Sequence, residues 1–256
     1  MTTPLLLIAR YTALEALRGK FLWLCLLTMC AALGLSALLG QLTLTESRAT
    51  EAALVAAALR LASVFLLMTF VVTSMAREAA DQGLELVLAL PLPRAAYLLG
   101  KLAGFAALAA LPAALFGGLT LLWAAPLQSL LWGLSLLAEL WIVAAFALLC
   151  AASLHNALPA LAASAGFYLL ARMIGSLQLL AHGGHGASGS LQQVLTAGID
   201  ILGLLLPRLD LYARSDWLLY ASGNWPALAA LAAQTAIYVA LLAAAALCDF
   251  YRRSVS

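Results

Sequence analysis

The chain has 256 residues, of which 65% are hydrophobic and only 9% are charged, and its mean hydropathy is +1.04. A soluble globular domain has about 25% charged residues, so this composition excludes a soluble domain and predicts an integral membrane protein. The net charge of only +2 gives no argument for nucleic-acid binding. The apolar runs are long and rich in Leu and Ala, without the two-residue alternation of outer-membrane strands, which predicts an all-α polytopic membrane protein.

Residues 3–20 form the first predicted element, a weakly amphipathic helix. Its charged residues are Arg10, Glu15, Arg18 and Lys20. These are too many for a membrane-spanning helix, and the short apolar core of a signal peptide is missing. We expect an interfacial helix on the cytosolic face. The alternative is a plain positively charged N-terminus that sets the topology.

Six apolar runs follow, each long enough to cross a bilayer, which takes about 20 residues. The second run carries Arg60 near its outer end, the fourth carries Glu139, and the fifth carries Arg172. We expect Arg60 to extend its charge towards the membrane surface. The predicted spans are 21–40, 53–76, 95–123, 129–152, 157–180 and 226–248.

The stretch between the second and third spans, residues 77–101, reads REAADQGLELVLALPLPRAAYLLGK. Read as a helix from Arg77, it has three carboxylates on one face and apolar residues on the other. The carboxylates are Glu78, Asp81 and Glu85, and the apolar residues are Ala80, Leu84 and Val87. Pro91 and Pro93 end this helix, because each lacks an N–H and restricts the residue before it. The pattern predicts a short amphipathic helix at the membrane surface; the alternative is an ordinary solvated loop.

The sequence of this stretch resembles that of the ABC-2 type permeases, the membrane subunits of ABC transporters. An acid-rich helix is followed by Gly-Leu-Glu-x-x-Leu-x-Leu-Pro-x-x-Arg and then by Leu-Gly-Lys at the start of a span. The matching residues are Glu78, Gly83, Leu84, Glu85, Leu88, Leu90, Pro91, Arg94, Gly100 and Lys101. The six-span layout of the whole chain is similar too. Within the family the chain looks most like the group around the copper-centre maturation permeases, with the haem-exporter permeases as more distant relatives.

The resemblance implies that segment 77–93 is a cytosolic coupling helix that docks on a separate ATPase subunit. The residues expected to couple to the ATPase are Glu78, Asp81, Gly83, Leu84, Glu85, Val87 and Arg94. It also implies a dimer of this chain with a second copy or a homologue, and two ATPase copies. The sequence contains no G-x-x-x-x-G-K-[ST] phosphate-binding motif, so we expect ATP hydrolysis in the partner and neither catalysis nor a cofactor in this chain.

Residues 181–225 differ from the spans. A Gly/Ser/His loop is followed by an apolar stretch, 199–206, that is too short to cross a membrane, and Pro207 ends it. Trp217, Tyr220 and Trp225 flank the remainder. We expect re-entrant or interfacial half-helices on the outer face, a feature that the resemblance also implies at this place, and a site where a periplasmic or other outer partner could dock.

The distribution of Lys and Arg predicts the orientation of the spans. With the N-terminus inside, eight of the thirteen fall on the inner face. They are Arg10, Arg18, Lys20, Arg77, Arg94, Lys101, Arg252 and Arg253. The positive-inside rule therefore predicts a multi-pass protein of the cell inner (plasma) membrane with both termini in the cytoplasm.

Glu139 is the one acid deep in a predicted span, which makes it a candidate functional residue by default. It could bind a cationic substrate or act in gating, pair with Arg172 or Arg60, be protonated, or lie nearer to an interface than the predicted boundaries place it. A secondary transporter or channel that uses Glu139 is therefore the main alternative function. That alternative leaves the acidic segment without a role, and the sequence shows no internal repeat.

Two weaker patterns lie in the Gly-rich loop. His182 and His185 form an HxxH pair, a weak metal-site candidate with Met173 and Asp200 as conceivable further ligands, although the glycines argue against a helix there. Residues 186–189 match the G-x-S-G of rhomboid intramembrane proteases, but no histidine follows Ser188 to act as its base, which disfavours a protease. The four cysteines fit no metal or CxxC pattern and are expected to be small core residues.

Overall fold

The computed structural model describes residues 2–42, 47–80, 94–154, 156–183 and 190–252. Throughout these ranges the regular structure is helical, with no strand. The helices are α1 (Thr2–Arg18), α2 (Phe21–Leu42), α3 (Ser47–Ala80), α4 (Arg94–Leu119), α5 (Pro126–Ser153), α6 (Ala157–Gly183), α7 (Ser190–Leu205), α8 (Ser215–Tyr220) and α9 (Trp225–Arg252). Single 3₁₀ turns lie at Thr120–Leu122 and Leu209–Leu211.

Six of these helices are long and apolar enough to span a membrane, which confirms the predicted number of spans. Their apolar segments are Phe21–Leu39, Glu51–Ala80, Ala95–Leu122, Pro126–Ser153, Ala157–His182 and Trp225–Arg252. Helix α1 is not among them, and the apolar part of α7, Thr196–Leu205, is too short. The architecture is that of a multi-pass helical membrane protein.

Helix α3 is longer than the predicted second span. It continues without interruption to Ala80, so residues 77–80 extend this span and do not begin a separate helix. Met, Ala, Arg and Glu all favour helix, and no Gly or Pro interrupts α3. Residues 81–93, which include Asp81, Gly83, Leu84, Glu85 and Val87, lie outside the described ranges.

Helix α5 is the centre of the bundle. It packs against α3, α4, α6 and α9, and more of it is buried than of any other span. Trp132, Leu136 and Leu140 on this helix are fully buried. Helices α2 and α9 are buried least, so they are the spans with the largest apolar surface left for lipid or for a second chain.

Helix α1 packs along α4, and the contact is tightest at Gly104. A Cβ atom added at Gly104 would lie 2.7 Å from the Cβ of Thr12, so only a glycine allows this approach. Among the cysteines, Cys25 and Cys150 are buried as expected. The expectation of a core position is wrong for Cys30 and Cys248, which are exposed on the two least buried spans.

Candidate functional site

Glu139 lies midway along α5 and is fully buried. Helix α5 has 28 residues, so Glu139 is roughly 20 Å from either end at the helical rise of 1.5 Å per residue. A carboxylate at this depth is costly unless charged or hydrogen-bonding groups compensate it. The groups that surround it therefore define the first candidate site.

Arg172 of α6 is the ion-pair partner of Glu139. Its Nη1 atom lies 3.6 Å from Glu139 Oε1. The same Nη1 donates hydrogen bonds to the carbonyl oxygens of Leu209 and, at 2.9 Å, of Tyr212. Of the alternatives considered for Glu139, the structure contains the pair with Arg172.

Arg60 of α3 approaches the same place from another span. Its Nη1 donates to the carbonyl oxygen of Ala213 at 3.2 Å, and its charge interacts with Glu139. The expected extension of Arg60 towards the membrane surface stays a prediction; the structure gives its guanidinium group a backbone carbonyl as acceptor. Two arginines from two spans thus bind three carbonyls of one short segment.

Several polar atoms in this cluster have no hydrogen-bond partner within the described ranges. They are both carboxylate oxygens of Glu139, the hydroxyl of Tyr168 and Nε of Arg60. Tyr168 lies one turn before Arg172 on α6, is fully buried, and interacts electrostatically with Glu139. Two guanidinium groups, one carboxylate and one phenol therefore meet near the middle of the bundle, where bridging water could satisfy the unpaired atoms. We call these four residues the midplane cluster.

The segment that the arginines hold, residues 206–214, enters the bundle between α7 and α8. Leu209 and Tyr212 are fully buried and Ala213 is 1% exposed, although this backbone is irregular. Non-helical backbone at membrane depth is tolerated only where protein groups satisfy it. Arg60 and Arg172 supply donors to its carbonyls, and Ser135 Oγ accepts the N–H of Ala213 at 2.9 Å. Because this segment is buried among the helices around it, as expected of a re-entrant piece, we call it the re-entrant segment.

Tyr212 fixes the re-entrant segment to the last span. Its hydroxyl donates to the carbonyl of Leu231 and lies 3.0 Å from Thr235 Oγ1, both on α9. Burial raises the pKa of Tyr212 to about 12, so the phenol stays neutral and able to donate at physiological pH. Ala213 has φ 42°, a left-handed conformation that alanine adopts only where its surroundings enforce it.

Gln128 at the start of α5 binds the backbone that follows α8. Its Nε2 donates to the carbonyls of Ala221 and Gly223, both at 3.2 Å, and its Oε1 accepts the N–H of Gly223 at 3.1 Å. A Cβ atom at Gly223 would lie 2.5 Å from Gln128 Oε1, so a larger residue here would displace the Gln128 side chain. The chain between α7 and α9 is therefore anchored at two places, at Tyr212 by α9 and at residues 221–223 by Gln128.

A second cluster joins three helices at the opposite end of the bundle. Glu78 near the end of α3 forms an ion pair with Lys101 Nζ of α4 at 2.7 Å and accepts a hydrogen bond from Tyr97 at 2.6 Å. Ser74 of α3 donates to the carboxylate of Glu15 of α1 at 3.3 Å. We call these five residues the helix junction. Segment 81–93 begins three residues after Glu78, the acid that α3 contributes to this junction.

Glu78 therefore has a different position from the one expected of a docking acid. Its carboxylate neutralises Lys101, whose side chain is only 4% exposed. Of the predicted coupling acids, Asp81 and Glu85 lie outside the described ranges, as does the side chain of Arg94, whose backbone begins α4. Tyr97, which the sequence analysis did not select, belongs to the junction.

His182 lies in α6, which extends three residues beyond the predicted span end. Its Nδ1 is 2.9 Å from the carbonyl of Gln178, and its Nε2 is 3.5 Å from Asp200 Oδ2 of α7. The structure thus brings His182 and Asp200 together. Across the described part of the chain, no three His, Cys, Asp or Glu residues are arranged to hold a metal ion. His185 and Ser188 lie outside it.

Comparison with known proteins provides no assignment for the chain. No protein-family model matches it, and no curated protein matches it significantly in sequence. The function is therefore argued from the helix junction and the midplane cluster.

Proposed function

We propose that the chain is the membrane-spanning permease subunit of an ABC exporter of the ABC-2 type, in the inner (plasma) membrane. In this proposal it works as a dimer with a second copy or a homologue, and two copies of a separate cytosolic ATPase drive it. Both termini and segment 77–93 are then cytosolic, α1 is interfacial, and the region 181–225 faces outwards. The observation that carries the proposal is the helix junction, which ties α1, α3 and α4 together beside the segment that resembles a coupling helix.

The junction provides a mechanical route from an ATPase to the spans. A docked segment that moves as a rigid body would displace the two helices that flank it, α3 and α4. The Glu78–Lys101 ion pair makes these two helix ends move together, because Lys101 is almost fully buried and has its counter-charge only there among the described groups. The Ser74–Glu15 contact and the close approach at Gly104 include α1 in the same unit.

The proposal is tested by reversing the two acids of segment 81–93. In Asp81→Lys/Glu85→Lys, Glu78 stays in place to keep the junction folded. We expect the ATPase to be lost when the variant is purified in mild detergent, because charge complementarity at the docking surface is reversed. The matched control is Asp216→Lys, an acid that is 50% exposed and lies beyond the midplane cluster from the junction. If the double variant retains the ATPase at the control's ratio, the coupling assignment is wrong.

A secondary transporter is the second candidate, and the midplane cluster favours it. Such transporters place ionisable side chains and irregular backbone near the middle of the membrane. Glu139, Arg60 and Arg172 with the carbonyls of 209–213 form such an arrangement. This candidate predicts accumulation of substrate in vesicles without ATP, driven by an ion or proton gradient and abolished in Glu139→Gln. Transport that requires ATP and the ATPase partner would exclude it.

A further inference from the structure

We propose that the re-entrant segment 206–214 is a gate held shut by a charge lock, in which Arg60 and Arg172 bind the segment and Glu139 positions the arginines. The lock is a property of this chain alone. Only the role of the gate in transport rests on the proposed function.

The first step is that the arginines come from different helices. Arg60 belongs to α3 and Arg172 to α6, yet the carbonyls they bind, those of Leu209, Tyr212 and Ala213, lie within five residues of one another. A guanidinium group has five N–H donors in a rigid fork, so its bonds require a fixed geometry. The segment can keep all three bonds only while α3 and α6 hold their present separation.

The second step is the contact of Glu139 with one of the two arginines. Glu139 is fully buried, and its Oε1 lies 3.6 Å from Nη1 of Arg172, the same atom that donates to Leu209 and Tyr212. It makes no hydrogen bond to the segment itself within the described ranges. Glu139 is therefore a positioning residue, whose negative charge holds Arg172 in place and offsets the positive charge that the two arginines bring to adjacent carbonyls.

The third step is that the segment can leave without unfolding the chain around it. Gln128 holds the backbone at 221–223 through three hydrogen bonds that do not involve the lock. Ala213 is held in a left-handed conformation, which it can relax once its carbonyl and N–H are released. Breaking the lock frees the carbonyls of the segment but leaves the bonds of Ala213 N–H to Ser135 and of Tyr212 to α9. These remaining bonds join neutral groups and are weaker than the charged ones, so residues 206–214 open more often while the far anchor at Gln128 remains.

The test measures how often a buried atom of the segment becomes accessible. The full chain is prepared without its native cysteines, carries Leu209→Cys, and is reconstituted into phosphatidylcholine vesicles without an ATPase. Leu209 is fully buried, so we expect slow labelling by a membrane-impermeant maleimide. Glu139→Gln and Arg60→Gln should each raise the rate at least about tenfold, which corresponds to about 1.4 kcal/mol in the opening equilibrium. The control Asp216→Asn breaks an exposed pair beside the same segment and should leave the rate unchanged.

The charge swap Glu139→Arg/Arg172→Glu separates a lock from an ordinary structural ion pair. The swap restores the pair, but a glutamate on α6 cannot donate to the carbonyls of Leu209 and Tyr212, so we expect labelling to stay fast. Slow labelling in the swap, or the parent rate in Arg60→Gln, overturns the proposal. Helix content and thermal unfolding are measured for every variant. If Glu139→Gln does not fold, the labelling rate in Arg60→Gln tests the proposal, because this variant leaves the Glu139–Arg172 pair intact. Labelling needs no transport, so failure of the gate and failure of the exporter proposal are distinguishable.

Discussion

The buried carboxylate of Glu139 is stabilised by the charge of Arg172 more than by hydrogen bonds. Its only ion-pair partner within the described ranges is Arg172, 3.6 Å away, and both oxygens lack hydrogen bonds there. Removing one partner of a buried pair leaves the other charge uncompensated, at a cost of about 3–5 kcal/mol. We therefore expect Glu139→Ala to lower the free energy of unfolding by that amount, measured by thermal or denaturant unfolding in detergent.

The double variant Glu139→Leu/Arg172→Met is the control for this prediction. It removes both charges, so it should be less destabilised than Glu139→Ala alone, although the carbonyls of the re-entrant segment lose a donor. Equal or greater destabilisation of the double variant would show that the ion pair is not the source of the cost.

A second prediction concerns Glu78, at the other end of the bundle. Its removal leaves the ammonium group of Lys101 nearly buried and without a counter-charge. We expect Glu78→Gln to cost about 1–3 kcal/mol of stability, the cost of an unsatisfied buried polar group. Glu15→Gln is the comparison, because within the described ranges the carboxylate of Glu15 accepts only long hydrogen bonds, of 3.3 and 3.4 Å from Ser74, and should matter less. Similar unfolding free energies for the two variants would contradict the junction as described.

At the scale of helices, the approach of α1 to α4 depends on a missing side chain. A Cβ atom at Gly104 would lie 2.7 Å from Thr12 Cβ and 3.0 Å from the carbonyl of Ala9, and the latter is backbone that cannot rotate away. We expect Gly104→Ala to cost about 1–3 kcal/mol by overpacking and to loosen α1. Loosening is measured as faster amide hydrogen exchange in residues 2–18.

Gly118 on the same helix is the matched control. No atom lies within 4 Å of a Cβ added there, so Gly118→Ala should be neutral or stabilise α4 by up to about 1 kcal/mol. If Gly118→Ala loses as much stability as Gly104→Ala, the close packing of α1 against Gly104 does not explain the cost of the Gly104→Ala substitution.

Hydropathy and length predicted the six spans, because each span has to satisfy its own backbone within the membrane and remain apolar. They did not predict the acceptor of Arg60 or the burial of segment 206–214. Arg60 and the carbonyl of Ala213 are 153 residues apart, and no local pattern connects them. Residues 77–80, predicted as the start of a separate helix, instead extend α3, since the apolar-to-polar change at Ser74 ends a span by composition without ending the helix.

Helical periodicity in the sequence could have predicted part of the surroundings of Glu139. Ser135 and Glu139 are four residues apart on α5, and Tyr168 and Arg172 are four residues apart on α6. Residues at this spacing share a helix face, so each pair marks a polar patch on an otherwise apolar helix. The partners of Ser135 and Arg172 could not be predicted, because they are backbone groups of segment 206–214: the N–H of Ala213 and the carbonyls of Leu209 and Tyr212.

At the scale of the whole molecule, α3 connects the two clusters. Glu78 of the helix junction and Arg60 of the midplane cluster lie on this one helix, roughly 27 Å apart at the helical rise. No Gly or Pro lies between them, so the helix has no built-in hinge. In the proposed exporter, a displacement at the junction therefore reaches Arg60 and the gate without an intervening flexible element.

This connection predicts that the two clusters respond to each other. In the complex with the ATPase, binding of a non-hydrolysable ATP analogue should raise the labelling rate of Leu209→Cys. The variant Asp81→Lys/Glu85→Lys should remove that increase while leaving the basal rate unchanged. An increase that persists in the variant would show that the signal does not pass through segment 81–93.

The most direct test of the central claim is to purify the chain in mild detergent from cells that express it with its neighbouring genes, and to identify its partners by mass spectrometry. The exporter account predicts a soluble protein with a phosphate-binding loop, at about one copy per copy of this chain. A stable chain that is purified alone, or with partners that lack such a loop, would contradict the account and leave the gradient-driven transporter as the explanation to pursue.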